Sequence, residues 1–174
     1  MKQVALIFML TIIITTLVTA ALFQPVSLLI FRIREPYFKY PIKTADRTLT
    51  IRKDDFGSGD YGTRRSGNRF HDGIDIVAPI GTPVHAAKSG IAFCLNVPTG
   101  YGKYVMLYHP DGMQSLYAHL SDYNVISTAK VRQGDVIGFA GKTGNAGADQ
   151  MHAHLHFEIR KNAVCIDPKP LMKR

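Results

Sequence analysis

Two short motifs contain the residues whose types could do chemistry together. In the first, FHDGIDI at residues 70–76, His71 and Asp75 are separated by four positions. Imidazole nitrogen and carboxylate oxygen are both good ligands for zinc. Gly73 and the β-branched residues after it disfavour a helix, so we expect His71 at the end of a loop and Asp75 on a strand. Two ligands do not make a metal site, so further ligands must come from elsewhere in the chain.

The second motif is HLHFEI at residues 154–159. Polar and apolar residues alternate there with period two, which predicts a strand with His154 and His156 on one face and core residues on the other. A further histidine, His119, lies in the similar segment LYAHL at residues 116–120. A lone histidine on a strand is more often structural, and we interpret three further histidines in that way: His85, His109 and His152. Of these, His152 is kept as a weak candidate for a residue near the site.

The chemistry that these residues could perform is metal-assisted hydrolysis. Three ligands, His71, Asp75 and His156, would leave a fourth position open on zinc, as in catalytic rather than structural sites. The helical H-E-x-x-H motif, which supplies a glutamate base, is absent. His119 and His154 are the candidates for handling protons, because an ordinary histidine pKa near 6.5 suits neutral operation.

The elements that must position these residues are short strands divided by turn signals. No long stretch after residue 57 has the apolar period of a helix. Many short strands at close spacing predict an all-β domain of antiparallel sheets. The predicted strands are residues 74–77, 84–87, 91–97, 104–108, 114–120, 136–140 and 154–160.

The start of the chain is apolar. Residues 4–23 carry no charge, and at about 1.5 Å per residue they span the roughly 30 Å hydrocarbon core of a bilayer. Small residues at 18–20 would allow signal-peptide cleavage, whereas the apolar run at 28–31 favours an uncleaved anchor. Only Lys2 precedes the segment and several basic residues follow it, so the positive-inside rule would keep the C-terminal part in the cytoplasm. The sequence leaves this conflict open.

The formal net charge of +8 favours an anionic partner. Nucleic acid is not expected, because the chain has no basic stripe interleaved with aromatic residues and no known nucleic-acid-binding motif. The two cysteines, Cys94 and Cys165, could form a disulfide or remain free. Their apolar surroundings favour free thiols.

Together these motifs resemble the lysostaphin/LytM-type zinc endopeptidases, which cleave peptide bonds in bacterial peptidoglycan. The resemblance runs from residue 57 to residue 171. The segments that carry it are YGTR (61–64), FHDGIDI (70–76), GTPVHAA (81–87), LYAHL (116–120), QGDVIG (133–138) and HLHFE (154–158).

The resemblance implies roles for individual residues. It implies one Zn²⁺ per chain, with these ligands: His71, Asp75 and His156. It also implies that His119 and His154 are catalytic and assist the attacking water and the tetrahedral intermediate. Arg64 and Tyr117 are expected to bind substrate. Two departures affect one wall of the groove: the loop at 144–154 is longer than is usual in the family, and His152-Ala153 replaces a common Gly-Pro pair.

We therefore predict three segments: a transmembrane anchor or signal segment (1–33), a linker (34–56) and a zinc peptidase domain (57–174). The predicted function is hydrolysis of stem or cross-bridge peptides of peptidoglycan. The alternative is a non-catalytic peptidoglycan-binding or hydrolase-activating module on the same scaffold. The expected location is the bacterial cell envelope, anchored and facing the wall, or secreted if the first segment is cleaved. The sequence does not identify which proteins, if any, are its partners.

Overall fold

The computed structural model describes residues 2–45 and 48–174. The predicted anchor and linker include three residues that lie outside the described residues: Met1, Asp46 and Arg47. The chain divides into two compact units, one ending at Pro36 and one beginning at Tyr37.

The first unit consists of helix α1 (Lys2–Arg34). Its 33 residues reach about 50 Å, which exceeds the roughly 30 Å of a bilayer core. No charged residue lies between Lys2 and Arg32. By length and composition α1 could therefore cross a membrane, and a signal sequence would satisfy the same criterion.

The second unit is built from strands joined by turns and short 3₁₀ helices. The strands are β1 (Phe38–Lys39), β2 (Lys53–Asp54), β3 (Gly57–Ser58), β4 (Ile74–Val77), β5 (Pro83–His85), β6 (Gly90–Val97), β7 (Gly102–Tyr108), β8 (Met113–Tyr123), β9 (Lys130–Val131), β10 (Val136–Ala140), β11 (His154–Lys161), β12 (Val164–Ile166) and β13 (Met172–Lys173). The 3₁₀ helices are Ser66–Asn68, Gly144–Gly147 and Lys169–Leu171.

The main sheet has the strand order β12, β11, β8, β7, β6, β9, and β4 pairs with β11. These pairings are antiparallel. The prediction of an all-β, antiparallel domain preceded by an apolar helix is confirmed. Strand β8 changes partner along its length, because residues 113–118 pair with β11 whereas residues 120–123 pair with β10.

The core lies against one face of β11. Leu155, Phe157 and Ile159 have no exposed surface, as the period-two alternation predicts. Tyr117 on β8 packs against Phe157, with ring centroids 5.2 Å apart. The opposite face of β11 is thereby left for His154 and the polar residues that alternate with it.

The segment predicted as a linker contributes to this unit. In β1, Phe38 and Lys39 pair in parallel with Met172 and Lys173 of β13. Phe38 and Ile42 are buried in the core. The segment boundaries at residues 34 and 57 stay a prediction.

Cys94 and Cys165 are free thiols. They lie on β6 and β12, which are separated in the sheet by β7, β8 and β11. Of the two alternatives left open by the sequence, the structure therefore has the free thiols.

The turn that leads into β4 packs very closely on β11. A Cβ atom on Gly73 would lie 2.3 Å from the carbonyl oxygen of Phe157 and 2.9 Å from Cγ of Glu158. The glycine of the H-x-G-x-D motif is therefore required by the close approach of two backbones.

We expect Gly73→Ala to lower the free energy of unfolding by about 1–3 kcal/mol, because the added methyl group overpacks this contact. Urea denaturation measures the change. Gly147→Ala is the matched control, since the nearest atom to its Cβ would be 3.4 Å away. Equal effects of the two substitutions would contradict the explanation.

Candidate metal centre and active-site groove

Strand pairing brings the two predicted motifs together. Asp75 on β4 lies directly opposite His156 on β11 in the antiparallel register. His71 precedes β4 and reaches the same place from the loop, as expected. Because β11 alternates, His154 and Glu158 lie on the same face as His156.

Three polar atoms converge at this point. Asp75 Oδ1 is 3.0 Å from His71 Nε2 and 2.8 Å from His156 Nδ1. The two ring nitrogens are 3.0 Å apart. All three side chains are buried, and together they could hold a metal ion.

Hydrogen bonds on the outer sides of the rings fix which nitrogen faces the centre. His71 Nδ1 lies 2.9 Å from the carbonyl oxygen of Asp60, and His156 Nε2 lies 3.0 Å from Glu158 Oε1. Both partners are acceptors, so each of these nitrogens carries the proton. The other nitrogen of each ring faces Asp75 Oδ1 and presents a lone pair there once it is free of a proton. Donor atoms this close need a proton or a metal cation between them, and this N,N,O donor set fits zinc.

The carboxylates also control protonation of the centre. Burial lowers the pKa of His156, but its hydrogen bonds to Asp75 and Glu158 outweigh burial and raise the pKa to about 9. Burial raises the pKa of Asp75, but hydrogen bonds from His156 and His71 outweigh it and hold the pKa far below its usual range. A proton and a metal ion therefore compete for the same atom, Nδ1 of His156.

His119 and His154 lie beside this centre. Their ring centroids are 5.0 Å apart, and the rings meet edge to face. Each ring is held by a carbonyl oxygen at Nδ1, from Thr143 at 2.9 Å for His119 and from His152 at 2.7 Å for His154. Each therefore turns an unprotonated Nε2 away from its carbonyl partner.

Both of these histidines have lowered pKa values. Burial is the main cause for His119, followed by electrostatic interaction with the imidazoles of His156 and His154, and its pKa falls to about 3. Burial also lowers the pKa of His154. The sequence argument used the ordinary value near 6.5, which ignores burial. The result is two imidazoles that are uncharged at neutral pH.

The backbone places His119 by breaking the regularity of β8. The register between β7 and β8 shifts between Lys103 and Val105, and His119 has a positive φ of 62°. A bulge of this kind turns a side chain away from its expected face. His119 consequently lines the groove, although Tyr117, two residues earlier, points into the core.

A groove of about 810 Å³ surrounds these residues. Its lining includes Arg64, Arg69, Phe70 and Tyr101, together with the histidines and carboxylates described above. Arg64 is exposed, and its guanidinium donates to Asn68 Oδ1 at 2.7 Å. The groove is thus large enough for several residues of an extended peptide.

The chain matches the profile of peptidase family M23 over residues 69–168, which is more than half of its length. It belongs to peptidase family M23. The matched segment includes all five of the metal-centre and neighbouring residues: His71, Asp75, His119, His154 and His156.

Curated relatives agree with this assignment. The DD-carboxypeptidase/endopeptidase Mpg of Neisseria meningitidis is 43% identical over 100 residues, covering 58% of this chain and 22% of the relative. Lysostaphin of Staphylococcus simulans is 35% identical over 123 residues, covering 70% of this chain and 25% of the relative. This chain therefore spans about a quarter or less of these relatives.

Solved structures give the same fold. The catalytic domain of lysostaphin from Staphylococcus simulans superposes with a TM-score of 0.57 and 34% identity, covering 64% of this chain and 86% of that domain. A zinc-containing peptidase from Vibrio cholerae gives a TM-score of 0.62 and 29% identity, covering 75% of this chain and 38% of that structure.

One predicted M23 site residue does not reach the groove. Tyr117 has no exposed surface, and its hydroxyl accepts hydrogen bonds from the backbone N–H of Ala87 and the hydroxyl of Ser115. The prediction that Tyr117 binds substrate is wrong. In a regular strand Tyr117 and His119 would share a face of β8, and the bulge separates them.

Sequence reasoning missed Arg52, which precedes the matched M23 segment. Its Nε and Nη2 lie 3.3 and 2.9 Å from Asp75 Oδ2, the oxygen that faces away from His71 and His156. Arg52 also pairs with Asp54. Residue 52 was assigned to the linker, and no local motif signals its contact with a residue 23 positions later.

We expect Arg52→Met to lower the free energy of unfolding by about 3–5 kcal/mol, because it leaves two buried carboxylates without this cation. The Arg52 side chain is 3% exposed. The side chains of its partners Asp54 and Asp75 are 5% and 4% exposed. Urea denaturation in a chelating buffer excludes any contribution from bound metal.

The control is Arg69→Met, which removes an exposed guanidinium that also lines the groove. Its effect should stay within about 0.5 kcal/mol. A small effect of Arg52→Met, similar to that of the control, would contradict the importance of the buried pairs.

Proposed function

We propose that this protein is a zinc-dependent endopeptidase that hydrolyses peptide bonds in the stem or cross-bridge peptides of bacterial peptidoglycan. The observation that carries the proposal is the convergence of three lone-pair atoms beside two neutral imidazoles in an open groove. Membership of an M23 family whose relatives include peptidoglycan DD-endopeptidase ShyC of Vibrio cholerae supports the substrate class.

In this proposal one zinc ion is held by His71, Asp75 and His156. Three protein ligands leave a position for water or substrate, which distinguishes catalytic from structural zinc sites. Bound zinc would lower the pKa of water and polarise the scissile carbonyl group. The buried positions of the three ligands restrict access to the groove side.

His119 and His154 are proposed to manage protons and charge. Each has its Nδ1–H held by a backbone carbonyl and a neutral Nε2 available. One of them accepts the proton of the attacking water and returns it to the leaving amine. The other stays neutral and accepts a hydrogen bond at Nε2 from the hydroxyl group of the tetrahedral intermediate, which helps to orient that intermediate. Which histidine performs which step follows from kinetics on the two alanine variants.

Arg64 is proposed to contact the substrate from the wall of the groove. Arg64 is exposed, and its guanidinium donates a hydrogen bond to the neutral side chain of Asn68 rather than to a carboxylate. The net charge of +8 fits an anionic wall polymer.

A non-catalytic binding or activating module is the competing function. Such a module needs a groove but has no use for three converging donor atoms that could hold a metal ion. The zinc content of purified protein discriminates the two functions.

We expect His119→Ala to keep about one zinc per chain and to lose activity on purified peptidoglycan by about 10²–10⁴-fold, because it removes a proton-transfer group. His71→Ala should instead lose the zinc, since a ligand is removed. Metal analysis and mass spectrometry of newly formed amine termini measure the two properties separately. A zinc-free or fully active His119→Ala would contradict the assigned roles.

We propose that residues 1–33 form an anchor, residues 34–56 a connection and residues 57–174 the peptidase. An anchored M23 domain facing the wall could reach peptidoglycan directly. Helix α1 supports anchoring by its length and composition. The basic residues that follow it, including Arg32 and Arg34, remain in conflict with this orientation under the positive-inside rule.

We expect the full-length protein to sediment with membranes and to resist carbonate extraction, because α1 buries an uncharged run in the bilayer. The peptidase unit should be digested by protease added outside the cytoplasmic membrane. A cytoplasmic protein serves as the control for membrane integrity. A soluble mature form that begins near residue 21 would show that the segment is a signal peptide.

A further inference from the structure

Glu158 is the most deeply buried carboxylate near the groove. It lies two residues after His156 on the same face of β11, and it has no exposed surface. The HLHFE motif includes it, but neither the metal ligands nor the proton-transfer residues explain why a charged group is buried there. A buried carboxylate is retained only when its oxygens are well paired.

Both oxygens of Glu158 are fully engaged. Oε1 lies 3.0 Å from His156 Nε2 and accepts a hydrogen bond of 2.6 Å from the hydroxyl of Tyr101. Oε2 accepts from Arg160, with Nε at 2.7 Å and Nη2 at 2.6 Å, and lies 3.5 Å from Cys165 Sγ. Arg160 also donates to the Tyr101 hydroxyl at 3.1 Å. The carboxylate is therefore fixed from both sides before it meets the imidazole.

The bond to His156 has a direct consequence for the metal centre. An imidazole with Nε2–H tied to a carboxylate has only Nδ1 available, and that atom faces Asp75 and His71. A carboxylate behind a ligating histidine fixes the tautomer, orients the ring and makes the nitrogen more basic.

We propose that Glu158, held by Tyr101 and Arg160, is a positioning residue that orients His156 for metal binding. The inference rests on the proposed metal site and adds to it a residue that acts through a ligand. The competing explanation is that Glu158 only neutralises Arg160. Arg160 is 21% exposed and has solvent as an alternative partner, whereas Glu158 is the partner of His156 Nε2 among the residues that the structure describes.

The test is the zinc affinity of Glu158→Gln in the full-length protein, measured by competition with a chromophoric chelator in detergent. Gln keeps the shape of the side chain but loses the charge, and its NH₂ group would face another donor. Loss of a carboxylate that supports a ligand typically weakens metal binding about 10–100-fold, and we expect a change in that range. The increase in melting temperature on adding zinc should shrink in parallel.

Asp111→Asn is the matched control. Asp111 is a half-buried carboxylate paired with Lys88 at 2.6 Å, and neither residue lines the groove. This substitution should lower the melting temperature but leave the zinc dissociation constant unchanged. A merely structural role of Glu158 predicts that the two variants behave alike.

Tyr101→Phe provides a second variant that keeps the ring and all charges. It removes one hydrogen-bond donor to Glu158, so zinc binding should weaken by less than in Glu158→Gln. If Glu158→Gln does not fold, Tyr101→Phe tests the inference instead. Unchanged zinc affinity in the variants that fold would overturn the inference and leave the metal site intact. If the unchanged protein itself bound no zinc, the proposed function would fail together with the inference.

Discussion

The metal centre depends on holding three donor atoms, two ring nitrogens and one carboxylate oxygen, within 3.0 Å of one another. No single contact achieves this, so each of the three side chains is held from behind. His71 is held by a backbone carbonyl of residue 60, His156 by Glu158, and Asp75 by arginines on its outer oxygen. The β4–β11 pairing supplies the register, but these outer bonds set the direction of every donor atom. The centre is therefore as much a product of its surroundings as of its ligands.

The charges around the centre are nearly balanced, which limits what electrostatics alone can do. Three carboxylates and three guanidinium groups form the paired set: Asp54, Asp75, Glu158, Arg52, Arg65 and Arg160. Pairing keeps the burial of these groups tolerable, since an isolated buried charge costs several kcal/mol. With the side-chain charges cancelled, affinity for a cation must come mainly from the orientation of lone pairs. Geometry, rather than an excess of negative charge, is then the property that substitutions in this layer disturb.

The sequence predicted what local periodicity and motif chemistry encode. The alternation at 154–159 predicted the strand, its buried face and its polar face, and Gly73 with the β-branched residues after it predicted Asp75 on a strand after a loop. It could not predict Arg52, whose contact with Asp75 joins two segments that no shared pattern links. Glu158 was visible in its motif, but its partner Tyr101 lies on the loop before β7 and meets it only after three strands pair. The sequence also could not predict the lowered pKa values of His119 and His154, because burial is a property of the whole fold.

The error over Tyr117 shows why His119 lines the groove at the point where β8 changes partner. In a regular strand His119 would share the face of Tyr117 and point into the core. Residues up to 118 pair with β11 and residues from 120 pair with β10, so the interruption falls at His119. A positive φ at a residue other than glycine costs of order 1–3 kcal/mol, and it persists because pairing on both sides fixes the backbone. The strained backbone turns the imidazole of His119 toward that of His154. The two rings come from different strands, β8 and β11.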